Sequence, residues 1–155
     1  MTISITSLSS NTGAMLQNGS NVFTINSSNQ VSTTNDALVH GVTVGLGAGS
    51  VSNNTAVGAS ALAANTTGAY NVAVGQIALN SNTVGINNTA VGQASLQLNT
   101  TGTGNTGIGA AALQLNVSGV SNTAVGVSTL QKNTASGNCA FGSVSYTHLT
   151  LPTKA

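Results

Sequence analysis

The sequence predicts an all-β chain, a parallel β-solenoid or β-roll of about six coils with seventeen-residue repeats. Three observations predict it. A glycine that follows a β-branched residue recurs at Gly58, Gly75, Gly92, Gly109 and Gly126, seventeen residues apart, and then at Gly142 after sixteen. Such internal periods mark repeat architectures, and this one is too short for helix-pair repeats. Each unit carries several Gly, Asn and Thr residues, and Gly alone costs about 1 kcal/mol relative to Ala inside a helix. Finally, only 2% of the 155 residues are charged, whereas disordered chains combine low hydrophobicity with high charge.

Taken in order, residues 1–39 precede the regular repeat and are expected to form an irregular or hairpin cap or attachment segment. "NVFTINSSNQVSTT" alternates weakly around a Ser-Ser-Asn break, as a hairpin does, and Phe23 and Ile25 would cover the open end of the stack. Residues 40–142 hold the solenoid. A lead-in, "VGLGAGSVSNNTA", sets Val44 and Gly45 ahead of Val57 and Gly58 as an opening rung. Residues 143–155 break the pattern and contain the sole proline, Pro152; they are expected to be a non-native or disordered tail.

Within a unit, counting the opening Asn as position one, position four reads Val57, Val74, Val91, Ile108 and Val125, followed by Phe141. Position nine reads Leu62, Leu79, Leu96, Leu113 and Leu130. These two files are expected to be the core columns of two short strands. Gly at position five and the "NTTG" stretch would make the corners, because Gly and Asn tolerate positive φ. Position one reads Asn54, Asn71, Asn88, Asn105 and Asn122, and position twelve Asn65, Asn82, Asn99, Asn116 and Asn133. Stacked coils would align these as amide ladders, each side chain donating to and accepting from its counterpart one rung away. Position three is small throughout, Ala56, Ala73, Ala90, Gly107 and Ala124. Alternation along a strand then turns it outward, where either tight packing within the coil or contact with a second copy would keep it small.

The same composition limits function. Asp36, Lys132 and Lys154 are the only charged side chains, too few to neutralise the phosphates of a nucleic acid. No enzyme is expected, because Asp36, His40, Cys139 and His148 supply no base placed near a nucleophile. No cofactor or metal is expected either: Cys139 stands without a ligand cluster and reads as a small apolar residue, and a calcium-binding roll would need repeated Asp. No stretch is long and apolar enough to insert in a membrane. Threonine-rich files at position two (Thr55, Val72, Thr89, Thr106, Thr123) and position thirteen (Thr66, Thr83, Thr100, Val117, Thr134) raise ice binding as an alternative, although no T-x-T strand occurs in the repeats. Tyr70, at an expected corner, reads as an exposed ring.

The strings "NTAVG", "NVAVG" and "NTGIG", each followed by a leucine step and an Asn-led corner, resemble the head repeats of trimeric autotransporter adhesins. The longer run "HGVTVGLGAGSVSNNTAVGASALAANTTGAYNVAVG" is similar to repetitive tail-fibre proteins of tailed bacteriophages. The likeness covers residues 40–142 and implies a left-handed coil that trimerises. The repeat is longer than the best-known adhesin unit, and the expected lack of a signal and membrane anchor favours the phage family. "VSYTHLTLPT", Val144 to Thr153, resembles the conceptual translation of a sequencing-library adapter, which implies read-through from a metagenomic fragment of a longer protein.

Together these imply the structural shaft of a phage tail fibre or adhesin-like fibre, spacing or presenting a receptor-binding tip for host attachment. The expected partners are two further copies of the chain and a cell-surface receptor reached through a distal region. The expected location is a virion tail assembled in the host cytoplasm, or a bacterial cell surface. An ice-binding solenoid or a self-assembling fibrous matrix protein is the alternative.

Overall fold

A computed structural model describes residues 13–17, 21–25, 31–33, 37–39 and 42–144. The chain divides into two compact units, Met1–Ala37 and Leu38–Ala155. In the first, β1 (Gly13–Gln17), β2 (Asn21–Ile25) and β3 (Val31–Thr33) form an antiparallel sheet in chain order. Met15 opposes Phe23 and Ile25 opposes Val31. β1 and β2 thus pair as an antiparallel hairpin. The capping role expected of the Phe23 and Ile25 side chains, like Asp36, His40 and the tail from residue 145 onward, lies outside the described residues.

The second sheet has eight strands in sequential order: β4 (Ala37–Val39), β5 (Val42–Gly45), β6 (Thr55–Val57), β7 (Val72–Val74), β8 (Thr89–Val91), β9 (Thr106–Ile108), β10 (Thr123–Val125) and β11 (Cys139–Phe141). From β6 to β11 the pairing is parallel and in register, Ala56 against Ala73, Ala73 against Ala90, and Ala124 against Ala140. Each of these six strands is one rung of a coil, so the chain is an all-β solenoid of about five turns with units near seventeen residues. The lead-in departs from the expected rung: β5 runs antiparallel to β6, with Val44 opposite Val57 and Gly45 opposite Ala56. The chain then turns through Ala48–Ser50 and lies over the first coil, where the Ala48 N–H donates to the Leu62 carbonyl at 3.1 Å.

Two corrections concern the coil interior. First, the Ala column faces inward and the Val column outward. Ala56, Ala73, Ala90 and Ala124 are fully buried. Val57, Val74, Val91 and Val125 are half-buried and Ile108 is 40% exposed. The physical reason is volume. Leu62, Leu79, Leu96, Leu113 and Leu130, all at most 1% exposed, project from the opposite wall, and in a close-packed interior the wall facing a Leu file has room for a methyl group and no more. Second, position nine is not a strand. Each of these leucines adopts φ between 48° and 51°, a left-handed conformation that costs a non-glycine residue roughly 1–2 kcal/mol. Burying a Leu side chain returns about 1.5–3 kcal/mol. The margin is small, so a coil holds this shape only when rungs above and below complete the burial and the hydrogen bonds.

Those bonds run on both walls. Along the strands, the Thr55 N–H donates to the Asn71 carbonyl at 2.8 Å, and the Gly75 N–H to the Val57 carbonyl at 2.8 Å. On the opposite wall the Leu62 N–H reaches the Ala78 carbonyl at 3.1 Å and the Leu96 N–H the Ala112 carbonyl at 2.9 Å. Gly58 turns the chain out of the strand at φ 136°, and a Cβ there would stand 2.5 Å from the Gly75 carbonyl oxygen. Position five is thus glycine for both conformational and steric reasons.

Candidate functional site

Both asparagine columns are buried, from fully enclosed in the middle of the stack to 8% exposed at Asn133. Position twelve forms the expected amide ladder: Asn82 donates to the side-chain oxygen of Asn65 at 3.0 Å, Asn99 to Asn82 at 2.9 Å, and Asn116 to Asn99 at 3.1 Å. Position one works differently. The Oδ1 of Asn54, Asn71, Asn88, Asn105 and Asn122 accepts the backbone N–H of the next Asn in the file at 2.9–3.0 Å. The amide donates across the coil at 2.8 Å, to Gly68 from Asn54 and to Gly85 from Asn71, for example. Burial of so many polar groups is tolerable because each is paired; among the described residues no buried side-chain polar atom is left without a partner.

A third ladder, on position ten, was not anticipated: Gln114 donates to Gln97 at 2.9 Å and Gln131 to Gln114 at 2.7 Å. The spacing of seventeen was visible in the sequence, but the file starts only at the third unit. The sixteen-residue unit loses its residue between Asn133 and Asn138. Ala135 there takes the acceptor role of the earlier corner glycines, receiving bonds from Asn122 and Asn133 at 2.8 Å each.

What remains is the outward strand face. Position two and position four point away from the core on every rung, giving Thr55 and Val57, Val72 and Val74, Thr89 and Val91, Thr106 and Ile108, Thr123 and Val125. The face continues onto exposed Val44 and Phe141 at its two ends. Seven strands at about 4.8 Å spacing make it roughly 29 Å long, and two side-chain files make it roughly 10 Å wide, or about 300 Å². The position-four file of this face is apolar, and its position-two file carries threonine hydroxyls on each of these rungs but the one with Val72. No protein family, curated protein or solved structure matches this chain.

The two threonine files have separate chemistry. At position thirteen the hydroxyls of Thr66, Thr83 and Thr100 donate to the carbonyl one coil on, at 2.8, 3.1 and 3.2 Å. Those at position two make no side-chain hydrogen bond among the described residues. Cys139 is exposed at the start of β11, in the file of the position-two threonines, rather than packed as a small apolar residue. Tyr70 is 61% exposed. Lys132 is the only charged side chain among the described residues, and no group of metal-ligating residues occurs among them. No helix among them is long and apolar enough to cross a membrane.

Proposed function

We propose that the chain is the structural shaft of a phage tail fibre or adhesin-like fibre, a homotrimer that spaces or presents a receptor-binding tip for host attachment. One observation carries the reading: an in-register file of outward Val57, Val74, Val91, Ile108 and Val125 on a parallel sheet. Water has no use for such a file, and copies of the chain, having the same rung spacing, fit it rung for rung. The inner ladders support the mechanical part. Each coil is tied to the next by backbone bonds on two walls and by amide files inside, so rigidity is built without reactive groups. Such a shaft works on a virion tail or at a bacterial cell surface, and its receptor contact is made by a distal region. Sedimentation equilibrium tests this: a single species of three chains supports it, and a monomer at high concentration opposes it.

A second reading, ice binding, is favoured by Thr55, Thr89, Thr106 and Thr123 at position two, which make no side-chain hydrogen bond among the described residues and share the strand face with the valine file. Thermal hysteresis in a monomeric solution supports that reading over the shaft; none is expected of the shaft.

A further inference from the structure

We infer that the lead-in, from β5 to Val51, is a start cap that keeps the first coil from receiving the last coil of a second copy. The contact it blocks runs along the stack. It is therefore independent of the face on which a trimer forms.

A stack of like coils has no built-in end, because each coil offers the next the same donors and acceptors, and an uncovered strand edge is a template for another chain. On later coils two of these donors are held by asparagine side chains of the coil before: the Asn71 N–H by Asn54 Oδ1 at 2.9 Å, and the Asn82 amide by Asn65 Oδ1 at 3.0 Å. The first coil has its equivalents held by the lead-in. The Asn54 N–H donates to the Val51 carbonyl at 3.2 Å and the Asn65 amide to the Ala48 carbonyl at 3.3 Å. Two backbone carbonyls thus take over the role of the two ladder oxygens.

The leucine file is closed in the same way. Leu62 is fully buried although it is the first of its file. Gly47 lies so close that a Cβ there would stand 2.5 Å from the Leu62 Cβ, and a Cβ on Gly49 would stand 2.5 Å from the Thr66 carbonyl oxygen. That oxygen is the counterpart of the Thr83 and Thr100 carbonyls, which receive the hydroxyls of Thr66 and Thr83 from the coil before. On the strand wall β5 covers β6 but runs antiparallel to it, ending the parallel rise, and the three-residue β4 lies beyond. Short edge strands are one way in which a sheet avoids pairing with another chain.

With the lead-in lifted, the partner that fits the first coil is β11 of a second copy. β11 pairs with β10 in the same parallel register that joins β6 to β7, so β11 set against β6 of another copy repeats an arrangement the chain already makes. The position-two N–H of one coil donates to the position-one carbonyl of the next, Thr55 to Asn71 and Thr123 to Asn138 at 2.8 Å each. Cys139 holds position two on β11, and Asn54 carries the matching carbonyl on the first coil. Such a contact joins different ends of the molecule and does not close, so it propagates as a filament.

The test compares the full chain with Gly47→Ala/Gly49→Ala, which forces the lead-in off the first coil, by light scattering and electron microscopy, with far-ultraviolet circular dichroism as the check of folding. Gly137→Ala is the control, since its φ of 74° carries the same backbone strain while a Cβ there meets nothing within 4 Å. Wild type and control should keep one bounded size, whether one chain or three, while the folded double variant forms filaments whose mass exceeds the wild type's by at least about tenfold and rises with concentration. Adding Cys139→Pro removes the position-two donor of β11 and should return the double variant to wild-type size. Unlimited growth of the wild type or the control, a double variant of wild-type size, growth that stops at twice that size, or growth unchanged by Cys139→Pro each overturns the inference. If the double variant loses its sheet signal, Gly49→Ala alone is read against the same outcomes. Amide exchange in the wild type needs no substitution: the Asn54 N–H should exchange at least about tenfold more slowly than in an unfolded chain, and an unprotected Asn54 overturns the inference.

Discussion

Asn88 accepts the backbone N–H of Asn105 on its side-chain oxygen at 2.9 Å, while its amide donates to the Gly102 carbonyl at 2.8 Å. One side chain thus ties its own coil shut and holds the next coil on. Both bonds are fully buried, so nothing from solvent can replace them.

Asn88→Ala should therefore cost about 2–4 kcal/mol, the penalty of leaving the Asn105 N–H unpaired and removing one of the donors to Gly102. Urea denaturation measures it. Asn88→Asp adds a pH signature. Protonated, the Asp side chain can still accept from Asn105 and donate to Gly102; ionised, it turns a buried negative oxygen toward a carbonyl. Its folded pKa is raised above the unfolded value of about 3.9. Variant stability is then greatest below about pH 4 and falls as pH rises from there through the folded pKa. A urea midpoint that stays flat between pH 4 and pH 7 contradicts this.

Backbone sign can be read from neighbouring alanines. Ala111 has φ 56°, whereas its buried neighbour Ala112 has no positive φ. Ala111→Gly should be neutral or stabilising by up to about 1 kcal/mol, because glycine takes the left-handed conformation without strain. Ala112→Gly should destabilise by about 1 kcal/mol. Leu96→Ala should cost about 2–5 kcal/mol despite relieving crowding at φ 50°, since it opens a cavity facing Ala90 and its neighbours. Thermal melts of the three variants rank them.

Position fifteen is glycine for a different reason. A Cβ on Gly68 would stand 2.5 Å from the Asn65 side-chain oxygen and 2.5 Å from the Gly85 carbonyl, which are backbone and ladder atoms that cannot move independently. Gly68→Ala should destabilise by more than about 2 kcal/mol through overpacking and a broken ladder. Gly104→Ala is the control. Its φ is 68°, but the nearest atom a Cβ would meet is 3.8 Å away, and Tyr70, Asn87 and Ser121 occupy the same position in other coils at φ 57–59°. Its cost should stay near 1 kcal/mol. A larger loss at Gly104 than at Gly68, in paired denaturant titrations, reverses the argument.

The period, the corners and the buried asparagine and leucine files were legible in the sequence, because equivalent residues in a stack must repeat at one spacing. Orientation of the strand was not. Alternation along Thr89, Ala90 and Val91 states that Ala and Val face opposite ways, but not which enters the coil. That choice is made by Leu96 and its counterparts across a narrow interior, a volume constraint that hydrophobicity alone ranks the wrong way round. Leucine at positive φ was equally hidden, because nothing in the residue type announces a conformation that only the stacked neighbours stabilise. The antiparallel β5 was missed because "VG" at Val44 and Gly45 imitates the rung that follows.

The orientation of that strand is the point on which the fibre reading depends, and cysteine accessibility at two adjacent residues measures it. In a Cys139→Ser background, Ala90→Cys should resist maleimide at every protein concentration, while Val91→Cys should react in dilute solution and become protected as chains associate. Rapid labelling of Ala90→Cys together with a Val91→Cys that stays unreactive on dilution would contradict the account.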